Sequence, residues 1–309
     1  MYIGFDIGGT NIRYAISQNL KKPAEHLFKN SFLHTGNVYS DIEENICKLI
    51  DTYENIEGIG ISLAANIDRY SGIVKSWPNN PSWVGYNFVK HLKQKYNFPI
   101  VIEDDANCGA WGEYILFNSD LDNMIYITVG TGIGCGLIIG KKLFIGDNGI
   151  SGELGHVILN EFEEQVCCCG QLGCLQSLIS GKAILKHYNA NRLSLDSAKN
   201  VRALIEKCCK NDKQALDSID FLKRKLTYVI YNLNMILDIG FFVVGGGAGT
   251  LYAPFLPEIE SEVNTMLKKF KKKVTLSVAQ NDQYSGVHGV LDLLEKYLEN
   301  TKNEKNSSY

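Results

Sequence analysis

Residues Gly152 to Gln176, GELGHVILNEFEEQVCCCGQLGCLQ, hold the densest chemistry in this sequence. Glu153 and His156 stand three apart, and Cys-x-Cys-Gly-x-x-Gly-Cys follows, with cysteines at 167, 169 and 174. Zinc takes four soft or borderline ligands in a tetrahedron, and one histidine with three cysteines is a closed structural set. His156, Cys167, Cys169 and Cys174 are therefore predicted to hold a structural Zn²⁺. Gly170 and Gly173 permit the positive φ angles a tight knuckle needs. The plainer alternative is a turn of buried thiols packing as small hydrophobes. Cys168 is the spare thiol, since a ligand on either side leaves it pointing elsewhere. Glu153 has no place in such a knuckle, and an acid one turn from a metal-held histidine marks a polar site beside the metal.

Other candidate groups sit where strands end. Met1 to Ser17, MYIGFDIGGTNIRYAIS, reads as strand, Gly-Gly-Thr turn and strand. Backbone N–H groups at Gly8 and Gly9 could cradle a phosphate, and Asp6 could hold Mg²⁺ through water. An ordinary glycine hairpin reads the same way. Asn123 to Gly140 echoes this pattern, with Thr128 falling opposite Asp6, which implies two related halves each offering a glycine turn. Pro99 to Tyr114 reads as a short strand running into a helix, with Asp104 and Asp105 at the junction. Either could be the helix N-cap, or a carboxylate placed for chemistry at a strand's C-terminal end. Phe241 to Thr250 reads as a buried strand ending in Gly245, Gly246 and Gly247, either a ligand approach or a flexible loop.

The elements that must carry these groups are legible by period. Asp41 to Glu54 has helical spacing of Ile42, Ile46, Ile50 and Tyr53, and Glu57 to Leu63 reads as a buried strand. Asn66 to Trp83 is loop-rich, and its Trp77 and Trp83 are expected to cap a core edge, with ligand stacking as the alternative. Helices are predicted over Leu172 to Asn189, Ala198 to Lys210, Ser218 to Leu237 and Gly286 to Leu298, and a strand over Val274 to Ala279. Glu299 to Tyr309 reads as a polar, disordered tail.

The 309 residues suffice for two domains, and 45% apolar with 21% charged residues is the composition of a soluble globular protein. A net charge of −3 argues against a nucleic-acid surface. Nine cysteines, mostly unpatterned and without a signal peptide, read as reduced thiols in a cytoplasm. No apolar run is long enough to span a membrane; Met124 to Gly140 is interrupted by Thr128, Gly130, Thr131, Gly132 and Gly134.

Taken together, Asp6-Ile-Gly-Gly-Thr10, Glu103-Asp-Asp-Ala-Asn107, Gly130-Thr-Gly-Ile-Gly134, Gly152-Glu-Leu-Gly-His156, the cysteine knuckle and Gly245-Gly-Gly247 resemble a sugar kinase of the ROK family, within the actin and hexokinase superfamily. They follow the family's order over nearly the whole chain. The resemblance implies two ribonuclease-H-like α/β domains with the ligands in a cleft between them. The first would be residues 1–117 plus a returning C-terminal helix in 287–309, and the second 118–286 with the zinc knuckle. It implies phosphorylation of a sugar C6 hydroxyl by ATP, with Mg²⁺, and turns Asp105 from cap into catalytic base. By similarity, Asp6, Gly8, Gly9 and Thr10 form the first phosphate loop, and Thr131 and Gly132 the second. Gly246 and Gly247 lie beside the adenosine. Glu153 and His156 bind sugar hydroxyls, and Asp104, Gln176, Asn80 and Ala65 complete the sugar site. Family members are often dimers, so a homodimer is expected, with no nucleic-acid or membrane partner.

Three positions depart from the family pattern. An Asn before the base is Asp104, a Glu two after the last cysteine is Gln176, and a Pro-Gly after the third strand is Ala64-Ala65. Gln176 can donate where Glu cannot, so it is expected to serve a carbonyl or ring oxygen, and an N-acetyl group supplies such a carbonyl. That orders the substrates as N-acetylmannosamine, then glucose, then N-acetylglucosamine and allose. Two rivals share the family: a kinase-like sugar-binding or sugar-sensing protein without turnover, and a sugar-responsive regulator. The regulators carry an N-terminal helix-turn-helix, for which a first strand at Tyr2 leaves no room.

Overall fold

The computed structural model describes residues 1–8, 11–20, 28–33, 39–69, 71–77, 81–117, 120–160, 165–190 and 196–306. In chain order come β1 (Tyr2–Ile7), β2 (Asn11–Ser17), β3 (Phe28–Leu33), α1 (Tyr39–Asp51), β4 (Gly58–Leu63), β5 (Asn66–Ile67), β6 (Val74–Ser76), α2 (Phe88–Lys95), β7 (Ile100–Asp104) and α3 (Asp105–Leu116). There follow β8 (Met124–Val129), β9 (Ile133–Ile139), β10 (Lys142–Phe144), α4 (Leu175–Ile179), α5 (Gly181–Asn189), α6 (Val201–Cys209) and α7 (Lys213–Leu237). The last are β11 (Phe241–Gly245), α8 (Gly246–Gly249), α9 (Leu256–Leu267), β12 (Thr275–Val278) and α10 (Ser285–Asn306).

The chain divides into two compact units. One is Met1–Phe117 with Ile145–Ser151 and Tyr284–Tyr309; the other is Asn118–Phe144 with Gly152–Gln283. In the first unit a five-stranded sheet runs β3-β2-β1-β4-β7, and in the second another runs β10-β9-β8-β11-β12. In both, the first three strands form an antiparallel meander and the last two add in parallel. The internal repeat read from the two glycine turns is thus a repeat of whole sheets. Register preserves it: Asp6 on β1 faces Ser62 on β4, and Thr128 on β8 faces Gly245 on β11.

Sequence explains the central strands. A parallel strand covered on both faces is apolar throughout, and every residue of β4, GIGISL, is buried. On the first unit's sheet lies α10, whose Val287, Val290, Leu291 and Leu294 recur at helical spacing and are fully buried. This helix also packs along α3. It continues to Asn306, so the polar tail expected from Glu299 is helical over most of its length. Its charged residues are no obstacle, because an exposed helix end tolerates Lys, Glu and Asn and needs no apolar face.

Two other expectations are corrected. The single helix predicted over Leu172 to Asn189 is two, because Ser180 leaves helical geometry and caps α5 by accepting from the Ala183 N–H. The loop-rich Asn66 to Trp83 contains the short β5–β6 ribbon. Trp77 and Trp83 are core residues. Both are essentially inaccessible, and their rings meet edge to face at 5.0 Å, with Trp83 also against Tyr86 and Phe88. Ligand stacking is excluded for a ring with no accessible face. Trp83→Ala should cost ~3–5 kcal/mol of stability, read as a lower denaturation midpoint in urea with an unchanged slope. A loss under ~1 kcal/mol would mean the ring is peripheral.

Candidate functional site

The junction of β7 and α3 is built around one carboxylate. Glu103 is buried, and its Oε2 accepts from Arg69 Nε at 2.7 Å. Its Oε1 accepts from Arg69 Nη2, from the Asp104 N–H at 2.8 Å and from Asn107 Nδ2 at 3.0 Å. Arg69 also donates through Nη1 to the Gly149 carbonyl at 2.9 Å, tying the Ile145–Ser151 loop to the first unit. Next in the chain, Asp104 is the N-cap of α3: its Oδ1 accepts from the N–H groups of Ala106 and Asn107 at 3.0 and 3.2 Å. Of the two residues that could cap, Asp104 does, and half-buried Asp105 opens the helix at the C-terminal end of a parallel strand. Asp caps as well as Asn, so the departure at 104 keeps this function.

At the first turn, Asp6 Oδ1 accepts from Ser62 Oγ at 2.8 Å, and Arg13 Nη1 lies 3.5 Å from Oδ2. Burial pushes the Asp6 carboxyl above its ordinary range, against the opposing pull of Ser62 and Arg13. Gly286, in the first turn of α10, abuts the same carboxylate. Gly8 follows β1, whereas Gly9, Thr10 and Asn80 lie outside the described residues. Ala65 is buried in the core, its N–H bonded to the Leu63 carbonyl at 2.7 Å.

In the second unit the expected nucleotide residues come together. Gly130 N–H bonds the Gly132 carbonyl at 2.9 Å, closing the turn, and Gly181 N–H bonds the Gly130 carbonyl at 2.9 Å. The helix break at Ser180 presents that donor. Thr131 is exposed at the tip. Gly246 has φ +83°, and a side chain there would collide with the Val129 backbone and the Thr128 hydroxyl. Hence the β11–α8 turn lies directly on the end of β8. Gly247 is exposed with open space where a Cβ would stand, so a flat ligand could reach its backbone.

The four knuckle residues converge as the spacing predicts, with His156, Cys167, Cys169 and Cys174 placing their ligand atoms within 4.8 Å of one another. Cys169 and Cys174 sulfurs are 3.6 Å apart, and Cys167 Sγ is 3.6 Å from His156 Nδ1. Ligands at zinc distances in a tetrahedron stand roughly 3.6–3.8 Å apart, so the set fits Zn²⁺. Gly170 and Gly173 have φ of +89° and +68°, the conformation that the turn required of them. Leu175 N–H bonds the Val157 carbonyl at 2.9 Å, which seats the start of α4 against the His156 segment. Burial would raise the Cys167 thiol, but hydrogen bonds from the Cys169 backbone and from Gln176, Cys169 and His156 bring it down to about 6. The other imidazole nitrogen, Nε2, lies 3.7 Å from Glu153 Oε2, so Glu153 can orient the histidine from behind.

Gln176, expected at the sugar, bonds the knuckle sulfurs and β9 in this structure. Its Nε2 donates to Cys168 Sγ at 3.0 Å and Cys167 Sγ at 3.3 Å, and its Oε1 accepts from the Ile133 N–H at 3.4 Å. The hydrogens expected to meet an N-acetyl carbonyl point at sulfur. Sequence reading missed Arg69, Arg13 and Ser62, which have no local motif and act across the sheet. Among the described residues, no helix is long and apolar enough to cross a membrane.

Two sheets of matching strand order define the duplicated α/β fold of the actin and hexokinase type, and the solved structure below shares it. A model of the ROK family matches residues 2–297, and the chain belongs to the ROK family. An N-acetylmannosamine kinase of Vibrio cholerae is 28% identical over 274 residues, 88% of this chain and 92% of the kinase. A xylose repressor of Caldicellulosiruptor bescii is 39% identical over 145 residues, 47% of this chain and 36% of the repressor. The chain spans less than two thirds of the length of the xylose repressors it matches. The structure of a ROK family glucokinase from Streptomyces griseus, in complex with glucose and AMPPNP, matches with a TM-score of 0.79 at 26% identity. That match covers 96% of this chain and 99% of the glucokinase.

The Glu103 network predicts a stability effect. Arg69→Met strands a buried carboxylate and should cost ~3–5 kcal/mol. The double variant Arg69→Met/Glu103→Gln should lose less than the two single variants summed, because the stranded charge is gone. Strict additivity in urea unfolding would show that the pair is not coupled.

Proposed function

We propose that this chain is an ATP-dependent kinase acting on the C6 hydroxyl of a hexose or N-acetylhexosamine. The observation that carries the reading is the β7–α3 junction, where capping falls to Asp104 and Asp105 stands at a strand's C-terminal end. In this reading the sugar oxygen bonds the γ-phosphorus while the bond to the ADP oxygen breaks, and Asp105 takes the hydroxyl proton. A carboxylate is a much weaker base than an alkoxide, so that proton moves late and positioning supplies most of the rate. Glu153 and His156 bind sugar hydroxyls, with Glu153 accepting.

Asp6, Gly8, Gly9 and Thr10 form the first phosphate loop, Thr131 and Gly132 the second, and Gly246 and Gly247 flank the adenosine. Asp6 would hold Mg²⁺ through water, and its desolvated charge favours a cation there. When bound, that ion offsets charge on the phosphoryl oxygens. His156, Cys167, Cys169 and Cys174 would hold Zn²⁺, which with four protein ligands supplies shape to the sugar-binding segment and no chemistry. The Vibrio cholerae and Streptomyces griseus relatives support N-acetylmannosamine and glucose as first substrates to test, ahead of N-acetylglucosamine and allose. The xylose repressors among the relatives favour a second reading, a sugar-binding or sugar-sensing protein without turnover. A coupled ADP-release assay over a sugar panel separates them, since only the kinase releases ADP in a sugar-dependent way.

Asp105→Asn should leave sugar affinity largely intact and lower kcat by at least ~10². Near-normal turnover in a folded variant would remove Asp105 as the base. Elemental analysis of protein purified without added metal should find about one zinc per chain. Cys168→Ser should keep that metal and Cys169→Ser should lose it together with sugar affinity; equal retention would refute the ligand set.

A further inference from the structure

Gln176 follows Cys174 by two residues, on the helix start that Cys174 caps, so it travels with a metal ligand. Its amide is half-buried and fully engaged. Nε2 donates to the sulfurs of Cys168 and Cys167 at 3.0 and 3.3 Å, and Oε1 accepts from Ile133 N–H at 3.4 Å. The same oxygen lies only 3.0 and 3.1 Å from where side chains would begin at Gly132 and Gly155. One side chain therefore touches the cysteine knuckle, the second glycine turn and the Glu153–His156 segment. The amide orientation follows from chemistry, since only the NH₂ can donate to sulfur and only the oxygen can accept from a backbone N–H.

We propose that Gln176 is an outer-shell support of the His156–Cys167–Cys169–Cys174 metal site, bracing the knuckle against the second glycine turn. This rests on reading those four residues as the zinc set. Zinc-bound cysteine is a thiolate, which gains from a donor and is repelled by an acceptor. An amide meets both needs: two hydrogens for sulfur, one oxygen for the N–H. A carboxylate at 176 keeps the acceptor, loses both donors and brings a second negative charge to Cys167. Cys168, the spare thiol, thereby gains a role as the second acceptor that holds the amide in place.

Outer-shell partners of metal ligands typically contribute about 10–100-fold to metal affinity. The test uses the full chain, wild type, Gln176→Glu and Gln176→Leu, each loaded with one equivalent of zinc. Zinc transfer to a chromophoric chelator is followed, together with the thiolate charge-transfer band after cobalt substitution. Gln176→Glu should hold zinc roughly 10–100-fold more weakly, and Gln176→Leu, which loses the donors without adding charge, should fall between it and wild type. In sugar assays kcat/KM should fall by the same factor for N-acetylmannosamine and for glucose. Unchanged zinc retention in both variants would overturn the proposal, and so would a selective change in sugar preference with zinc retention intact. Should Gln176→Glu not fold, the Gln176→Leu comparison decides alone. A wild-type protein that binds no zinc would instead refute the metal set itself, and the Asp105→Asn result is independent of either outcome.

Discussion

The buried carboxylate of Glu103 is the constraint on which the first unit's site rests. A carboxylate without water must be matched by donors, and this one receives the Arg69 fork, a backbone N–H and an amide. Those donors come from three places: the stretch after β5, the residue that caps α3, and the first turn of α3 itself. Satisfying one buried charge thus fixes the direction in which β7 hands over to its helix, and with it the backbone of Asp105. The third nitrogen of Arg69 extends the hold to Gly149, a residue supplied by a loop far along the chain. The carboxylate proposed for chemistry is therefore flanked by one that is purely a fixture. The two differ by environment: Glu103 is buried with its oxygens held by donors, while Asp105 is half-buried at the first position of α3.

The second unit repeats the frame with different occupants. Asp6, a charged group, meets Ser62 across the first unit's parallel pair; Thr128, a neutral hydroxyl, meets Gly245 across the second. The first position offers a carboxyl and the second a close approach of backbones, because side chains at Gly245 and Gly246 would collide with Tyr126, Thr128 and Val129. The second turn has support from outside it. It comes from the helix break at Ser180, whose sequel Gly181 donates to Gly130, and from Gln176 at Ile133. A helix running unbroken from Leu175 to Asn189 would have spent that N–H on its own carbonyls.

Legibility in the sequence tracked the range of the interaction. The two strand–turn–strand segments, the positive-φ glycines of the knuckle and the capping acid at the β7–α3 junction are local patterns, and each is read within a dozen residues. Arg69 with Glu103, Ser62 with Asp6, and α10 on α3 join residues far apart, and no period or spacing announces them. Asp104 and Asp105 lay between these cases: the pair showed that a cap and a spare acid were present, but only coordinates assign which is which. The donors of Gln176 were legible from chemistry, but their bonds to the sulfurs of Cys167 and Cys168 were not.

A metal at the knuckle, as proposed, would act where side-chain cover is uneven. Its flanking apolar residues are poorly covered: Val157, Ile158, Val166 and Leu172 are 46, 51, 69 and 43% exposed. Burial at ~25 cal/mol per Å² acts here mainly through Leu154, Cys167, Cys174 and Leu175, which are buried. The backbone adds bridges of Ile158 with Cys174 and Val166 with Leu172, and N–H bonds from Leu159 to Gly173 and from Leu175 to Val157. In the proposed site, coordination by four side chains would act at the residues that must be fixed. His156 is among them, with Nδ1 toward the cysteines and Nε2 toward Glu153, so a metal bond at Nδ1 would also orient the polar pair beside it. The amide of Gln176 stands on the sulfur side of that site and Glu153 on the nitrogen side.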